Sequence, residues 1–332
     1  MKLVMLRPAF LPADVGSLRA GPVTDAVAEL GPLVATRALD DAGLLARLAA
    51  VPVRPPGTKL DRSAFTGVLT RKEQHFAVHD GFFGVFRATD AAPELLAHCA
   101  LVGYRTVLRE AVRCGTTLDD EQWGRLRHGI EAVLAYALGL PAVAPRPAQA
   151  PAGTAPLDPH RRWRSGHHVF FPLIQGIVLG LGCFQSALNA GRAEDADEAL
   201  EFATAAMSAS RDAMRFAADF PPGDYRGAVR PAMAPPHLPV GLSGVMSEDH
   251  DLLIRRFREL REVFPTLTGP PAARREEFIT AVEATYDAHK GVCARFDGDH
   301  VVSLRMSASS SAKAVGVLEQ LERSRLNTLR SL

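Results

Sequence analysis

The sequence predicts an all-α protein, a bundle of long helices. Three observations carry that expectation. Apolar residues recur at the spacing that lines one face of a helix through most of the chain. No run shows the sustained apolar–polar alternation between hairpin turns that marks a half-buried strand, so an extended sheet is not expected. Two proline-rich stretches, Pro141 to Pro159 and Pro221 to Pro239, punctuate the periodic segments.

Taken in order, Met1 to Phe10 is apolar but broken by Arg7 and Pro8. It has neither the long apolar region nor the small-residue cleavage site of a signal peptide. Pro93 to Cys114 places Leu95, Leu96, Cys99, Leu101, Val102, Val107, Leu108 and Val112 on a helical face and stops at Gly115. Leu118-Asp119-Asp120 opens the next helix, with acidic residues at the positive end of its dipole and Trp123, Leu126, Ile130, Val133, Leu134 and Ala137 turned inward. Pro141 to Pro159 reads as an extended or disordered Ala/Pro linker. Val169 to Leu181 is the most apolar run; it carries Pro172 and Gln175, is short for a membrane span, and reads as a buried core helix.

A third long helix is expected over Ala193 to Phe220, with Leu200, Phe202, Ala206, Met214 and Phe216 inward. Pro221 to Pro239 holds Tyr225, Arg226, Arg230, Met233 and His237, side chains seldom placed on a spacer, and reads as an ordered loop beside a site. Ser247 is placed to cap a helix running to Phe264, and the loop from Pro265 to Pro271 lets the helix from Ala272 to Arg295 return antiparallel. After a Gly298-Asp299 turn, the small residues of Ser307 to Ala314 suit close packing behind that helix, and Leu318, Leu321, Leu326 and Leu329 carry a last helix to the end. The domain reading is an N-terminal helical part (1–140), a linker (141–160) and a C-terminal part (161–332), forming one compact unit.

Composition narrows the function classes. Hydrophobic residues make up 47% and charged residues 23%, as in ordinary globular proteins. Lys and Arg number 38 against 37 Asp and Glu, a net charge of +1 that gives no reason to expect nucleic acid or an acidic membrane as partner. Four cysteines in 332 residues are too few for a disulfide framework, and a reducing cytoplasm is the expected location.

The chemistry gathers in the C-terminal part. Phe278, Val282, Thr285, Tyr286, His289, Val292 and Cys293 share one helical stripe. His289 and Cys293, one turn apart, have Cβ atoms about 6 Å from each other. A histidine bound to heme iron stands over the macrocycle's centre, and a cysteine one turn along lies toward its edge, within reach of a vinyl group. The spacing differs from the C-x-x-C-H attachment signature. By itself it also fits a half-buried histidine beside a small apolar cysteine. His250 heads the apolar face formed by Leu253, Ile254, Phe257 and Leu260, where an ionisable group needs a partner: a metal, or a backbone carbonyl.

His250, an interval of 38 residues, and then His289-Lys290-Gly291-Val292-Cys293 resemble the ligand motif of the heme-dependent aromatic oxygenases, helical relatives of tryptophan 2,3-dioxygenase. RPAMAPPHLPVGLSGVMSEDH (Arg230 to His250) and WRSGHHVFFPLIQG (Trp163 to Gly176) resemble them too, in particular the branch that hydroxylates 3-methyl-L-tyrosine in saframycin-type antibiotic pathways. The resemblance covers roughly residues 160 to 310. It implies a helical bundle of the tryptophan/indoleamine 2,3-dioxygenase-like type enclosing a heme. In that bundle His289 would be the proximal iron ligand, Cys293 a single thioether link and His250 the second axial ligand. It implies hydroxylation of the substrate ring ortho to the phenol, giving a catechol, with dioxygen plus a reductant such as ascorbate, or hydrogen peroxide, as oxidant. Two axial histidines leave iron no open position, so one must leave; His250, in the first turn of its helix, is the one placed to swing away. Unmodified L-tyrosine is the alternative substrate.

Arg226 and Arg230 suit a heme propionate or a substrate carboxylate, or a surface ion pair. Tyr225 and His237 are pocket candidates with ordinary loop packing as the alternative. His167 and His168 precede the apolar helix, as acid–base groups or as backbone-bonded histidines. His75 and His79 share a helix face but lack a third ligand nearby. A bis-histidine heme protein for electron transfer or sensing, a zinc site of His250, His289 and Cys293, and a scaffold without cofactor are the competing readings. The assembly state, monomer or homo-oligomer, is open.

Overall fold

The fold is read from a computed structural model that describes residues 1–20, 23–55, 57–61, 69–89, 94–142, 144–297, 303–304 and 313–330. Several of its helices begin where short polar side chains accept from otherwise unpartnered backbone N–H groups. After the short helices α1 (Val15–Arg19), α2 (Asp25–Ala35) and α3 (Asp41–Leu48), helix α4 (Arg71–Phe83) opens with a Thr70/Glu73 capping box. It ends at Gly84, whose φ of 69° turns the chain into a strand. A Cβ at Gly84 would stand 2.5 Å from the carbonyl oxygen of Met1, so glycine is required there twice over.

Helices α5 (Glu94–Cys114) and α6 (Asp120–Leu138) lie where their periodicity places them, and Asp119 with Gln122 forms the capping box at the start of α6. The apolar run grows into α7 (Pro159–Asn189), 31 residues started by Asp158 and tolerant of Pro172. It is long and apolar enough to cross a membrane, but 83% of its most apolar window is buried inside the protein. It is the central core helix. Helix α8 (Ala193–Ala217) packs along it; α9 is Glu248–Leu260, α10 is Pro270–Asp297 and α11 is Ala314–Arg330. Helix α8 also packs on α6 and α10, α5 packs on α7, and α11 lies over α9 and α10.

Among the described residues the architecture is all-α apart from one small parallel ladder. β1 (Leu3–Leu6) pairs with β2 (Val85–Ala88) in the register Leu3 to Val85 through Leu6 to Ala88. Each strand has four residues, too few for an alternation to be read from sequence, and all of β1 is buried.

The Ala/Pro stretch is extended and pinned rather than loose. Ala148 N–H donates to the Asp120 carbonyl at 3.0 Å, Thr116 N–H to Pro151 at 3.2 Å and Ala155 N–H to Arg113 at 3.0 Å. The 221–239 segment is ordered as expected: a turn of helix at Pro222–Asp224, a π turn over Tyr225–Val229 and another turn of α-helix at Arg230–Ala232. The Gly298-Asp299 turn and most of the small-residue run (307–312) lie outside the described residues.

Candidate active site

Helices α9 and α10 meet through Phe257, Phe264 and Phe278 near their connecting loop, with ring centroids 6.0 and 6.3 Å from Phe278. Farther out α9 leans on α7 and α11, while α10 leans on α8 and α11. A cavity of about 290 Å³ opens there. Its walls come from α4, α7, α8, α9, α10 and α11, from the 225–247 segment and from Ser303 and Leu304.

His250 and His289 both line it, and so does Cys293, one turn along α10 from His289. Ser247 sets this geometry on α9: its hydroxyl accepts from the His250 N–H at 3.4 Å, starting the helix so that His250 leads the apolar face. Asp249 points the other way. It is 1% exposed, receives Gln175 Nε2 at 2.7 Å and forms an ion pair with Arg87 at 2.8 Å. On α10, Phe278 and Val282 are core residues, and from Val282 to Phe296 the stripe faces the cavity.

Neither the His250 nor the His289 ring makes a hydrogen bond among the described residues. Burial lowers the His289 pKa to about 4. For His250 burial acts first, then the charges of Arg325, His289 and His79, again to about 4. Both imidazoles are neutral at neutral pH and present a lone pair, the form a metal takes. Among the described residues no three His, Cys, Asp or Glu side chains gather closely enough to hold a metal ion themselves, so the zinc alternative lacks its donor set. Two neutral imidazoles facing one apolar cavity suit instead a metal that brings its own equatorial ligands.

Comparison with known proteins identifies the family. The family model described as SfmD 3-methyl-L-tyrosine peroxygenase matches residues 4–281. The chain belongs to that family. A 3-methyl-L-tyrosine peroxygenase from Streptomyces lavendulae is 35% identical over 257 residues, covering 76% of this chain and 70% of the relative. The crystal structure of reduced SfmD, soaked with sodium hydrosulfite, superposes with a TM-score of 0.69 at 30% identity, over 88% of this chain and 97% of that one. Membership makes the chain an enzyme, an oxidoreductase.

The two arginines part company. Arg230 lines the cavity. Arg226 is exposed outside it, and its Nη1 donates to the Phe296 carbonyl at 2.8 Å, satisfying a helix-end acceptor of α10. Tyr225 lines the cavity, stacked on Phe296 at 4.2 Å, whereas His237 is exposed and away from it. His168 is fully buried and bonded through Nε2 to the Phe83 carbonyl at 2.7 Å, a structural role.

Two further histidines line the cavity: His167, which the sequence offers as an acid–base candidate, and His79, which it offers only as half of a helix-face pair. His167 stacks on Phe83 at 4.3 Å, with Nδ1 donating to the Trp163 carbonyl at 2.7 Å. His79, 2% exposed, faces the cavity from α4, while its helix neighbour His75 does not. The only local signal was the adjacent Asp80; what brings His79 here is the packing of α4 on α7.

Proposed function

We propose that this chain is a heme-dependent peroxygenase that hydroxylates a tyrosine derivative, 3-methyl-L-tyrosine before unmodified L-tyrosine, ortho to the phenol. One observation carries the reading. Two neutral imidazoles from different helices, both without protein hydrogen bonds among the described residues, face one apolar cavity with a thiol a turn from one of them. On this reading the bundle is also a relative of the tryptophan 2,3-dioxygenase-like proteins.

When bound, heme would supply the redox-active iron that activates the oxidant, hydrogen peroxide or dioxygen with ascorbate. His289 would ligate from mid-helix and Cys293 would tether the porphyrin edge by one thioether. His250, in the first turn of α9, would be the second ligand and the one that yields a position. No carboxylate is hydrogen-bonded to either ring among the described residues, so both imidazoles would hold iron less firmly than a carboxylate-backed histidine. Arg230 would meet a carboxylate, of a propionate or of the substrate. The aromatic wall formed by Phe83, Trp163, Phe171 and Phe296 would exclude water and pack against the substrate ring. The product, a catechol amino acid, suits tetrahydroisoquinoline antibiotic assembly.

The test is turnover of heme-loaded protein with 3-methyl-L-tyrosine and peroxide, read by mass spectrometry. The product is expected to gain one oxygen atom on the ring, faster than with tyrosine. Absence of oxygen incorporation with peroxide and with dioxygen plus ascorbate would refute the reading. Under the same assignment, His289→Ala is expected to abolish the native heme spectrum. His250→Ala is expected to keep heme in a five-coordinate or water-ligated state.

A further inference from the structure

We propose that His79 is a further catalytic residue: its Nε2 accepts the phenol hydrogen bond of the substrate and takes that proton as the ring is attacked. The inference rests on the functional reading above for its substrate. Its basis is geometric. His79 lines the same cavity as His250 and His289 and is wedged between Phe83 and Phe171, with centroids at 5.0 and 5.5 Å. Its Nδ1 stands 3.5 Å from Asp80 Oδ1, the outer limit of a hydrogen bond and a separation that catalytic pairs show before substrate tightens them. Nε2 has no hydrogen-bond partner among the described residues.

Asp80 is itself fixed. Arg87 grips it twice, Nε to Oδ2 at 2.7 Å and Nη2 to Oδ1 at 3.0 Å, and anchors in turn on the Leu6 carbonyl at 3.2 Å. Burial pushes the Asp80 carboxyl up, but Arg87 and His79 outweigh it and bring its pKa to about 2, so it is ionised. A carboxylate at Nδ1 selects the tautomer with its proton there and its lone pair on Nε2. It also stabilises the imidazolium that forms when Nε2 gains a proton.

The other cavity histidines lack this arrangement. His167 has a neutral carbonyl at Nδ1, and burial first, then neighbouring histidines, lower its pKa to about 3. His250 and His289 are committed to the iron on the reading above. No carboxylate lines the cavity among the described residues, and of the groups that do, imidazole is the one that accepts a proton near neutral pH.

The proton balance is simple when peroxide is the oxidant. The phenol proton moves to Nε2, and the electron pair left on oxygen activates the ortho carbon. That carbon bonds one peroxide oxygen as the O–O bond breaks, and hydroxide leaves. His79 returns its proton to the hydroxide, giving water. The ring C–H proton then shifts to the carbonyl oxygen, restoring aromaticity as the catechol.

Two arms test this on the heme-loaded protein. In calorimetric titration, wild type is expected to bind 3-methyl-L-tyrosine about 10-fold more tightly than 3-methyl-L-phenylalanine, and His79→Phe to lose that preference. In turnover, His79→Gln is expected to lower kcat by about 10²- to 10⁴-fold with KM nearly unchanged. Ring-fluorinated substrates with more acidic phenols should recover part of that loss. The heme spectrum of both variants should match wild type. A wild type without preference for the phenol, or a His79→Phe variant that keeps it, overturns the inference. So does a kcat loss that acidic phenols do not relieve. Failure of the functional reading looks different: wild type itself then turns over no tyrosine derivative, while the binding arm still reports on His79.

Discussion

Replacing Arg87 with methionine removes the cation that two carboxylates share, one of them fully buried. Arg87 is 7% exposed and pairs with Asp80 on α4 and Asp249 on α9, so it ties the two helices that carry His79 and His250. The Asp80 pKa drops from 3.8 to about 2, which corresponds to about 2 kcal/mol at 1.36 kcal/mol per unit. Because the folded value is the lower one, that stability is present above pH 3.8 and is lost as pH falls through about 2. At neutral pH the variant loses it and also leaves Asp249 buried with, among the described residues, only Gln175 as donor. A total of about 3–5 kcal/mol is expected, the usual cost of orphaning a buried charge. Urea unfolding followed by the fluorescence of Trp123 and Trp163 measures it. The triple variant Arg87→Met, Asp80→Asn, Asp249→Asn, which carries no orphaned charge, should recover most of the loss. A single variant less than about 1 kcal/mol destabilised would refute the reasoning.

Other outcomes follow from the same packing. His168 is held neutral, its pKa lowered to about 4 by burial against a partial offset from the Phe83 carbonyl. A lowered histidine pKa makes the folded state bind fewer protons, so this stability falls as pH drops from 6.5 toward 4. Between pH 7.5 and 5.5 wild type should lose about 1.3 kcal/mol more than His168→Gln in paired unfolding curves; parallel curves would contradict this. Gly103 lets α5 cross α7, and a Cβ there would stand 2.4 Å from the His168 carbonyl oxygen. Gly103→Ala is expected to cost about 1–3 kcal/mol despite its better helix propensity; a thermal melt at or above wild type would contradict that. Arg230→Ala should weaken heme or substrate binding, whereas Arg226→Ala should leave both unchanged, as titration of each variant would show.

Much of the helical frame is written locally. Asp119 with Gln122, Asp158 and Ser247 start helices where their side chains reach the next turn's N–H groups, and the apolar stripes choose the buried faces. The same local rules place His250 at the head of one stripe and His289 with Cys293 on another, so the cavity-facing side of both helices was legible. The parallel β1–β2 ladder was not, because it joins four-residue strands about 80 residues apart. His79 was not either: its role depends on Arg87 holding Asp80 and on α4 packing against α7. Arg226 and Arg230 read alike in sequence, and the π turn at Tyr225–Val229 separates them, one toward the cavity and one toward the end of α10.

The central claim is that His250, His289 and Cys293 hold a heme, and a denaturing mass spectrum of the heme-loaded protein tests it most directly. The chain is expected to keep the full mass of one heme after unfolding, and Cys293→Ala is expected to release it. Heme that separates from the unfolded wild-type chain, or a protein that binds none, would contradict the account.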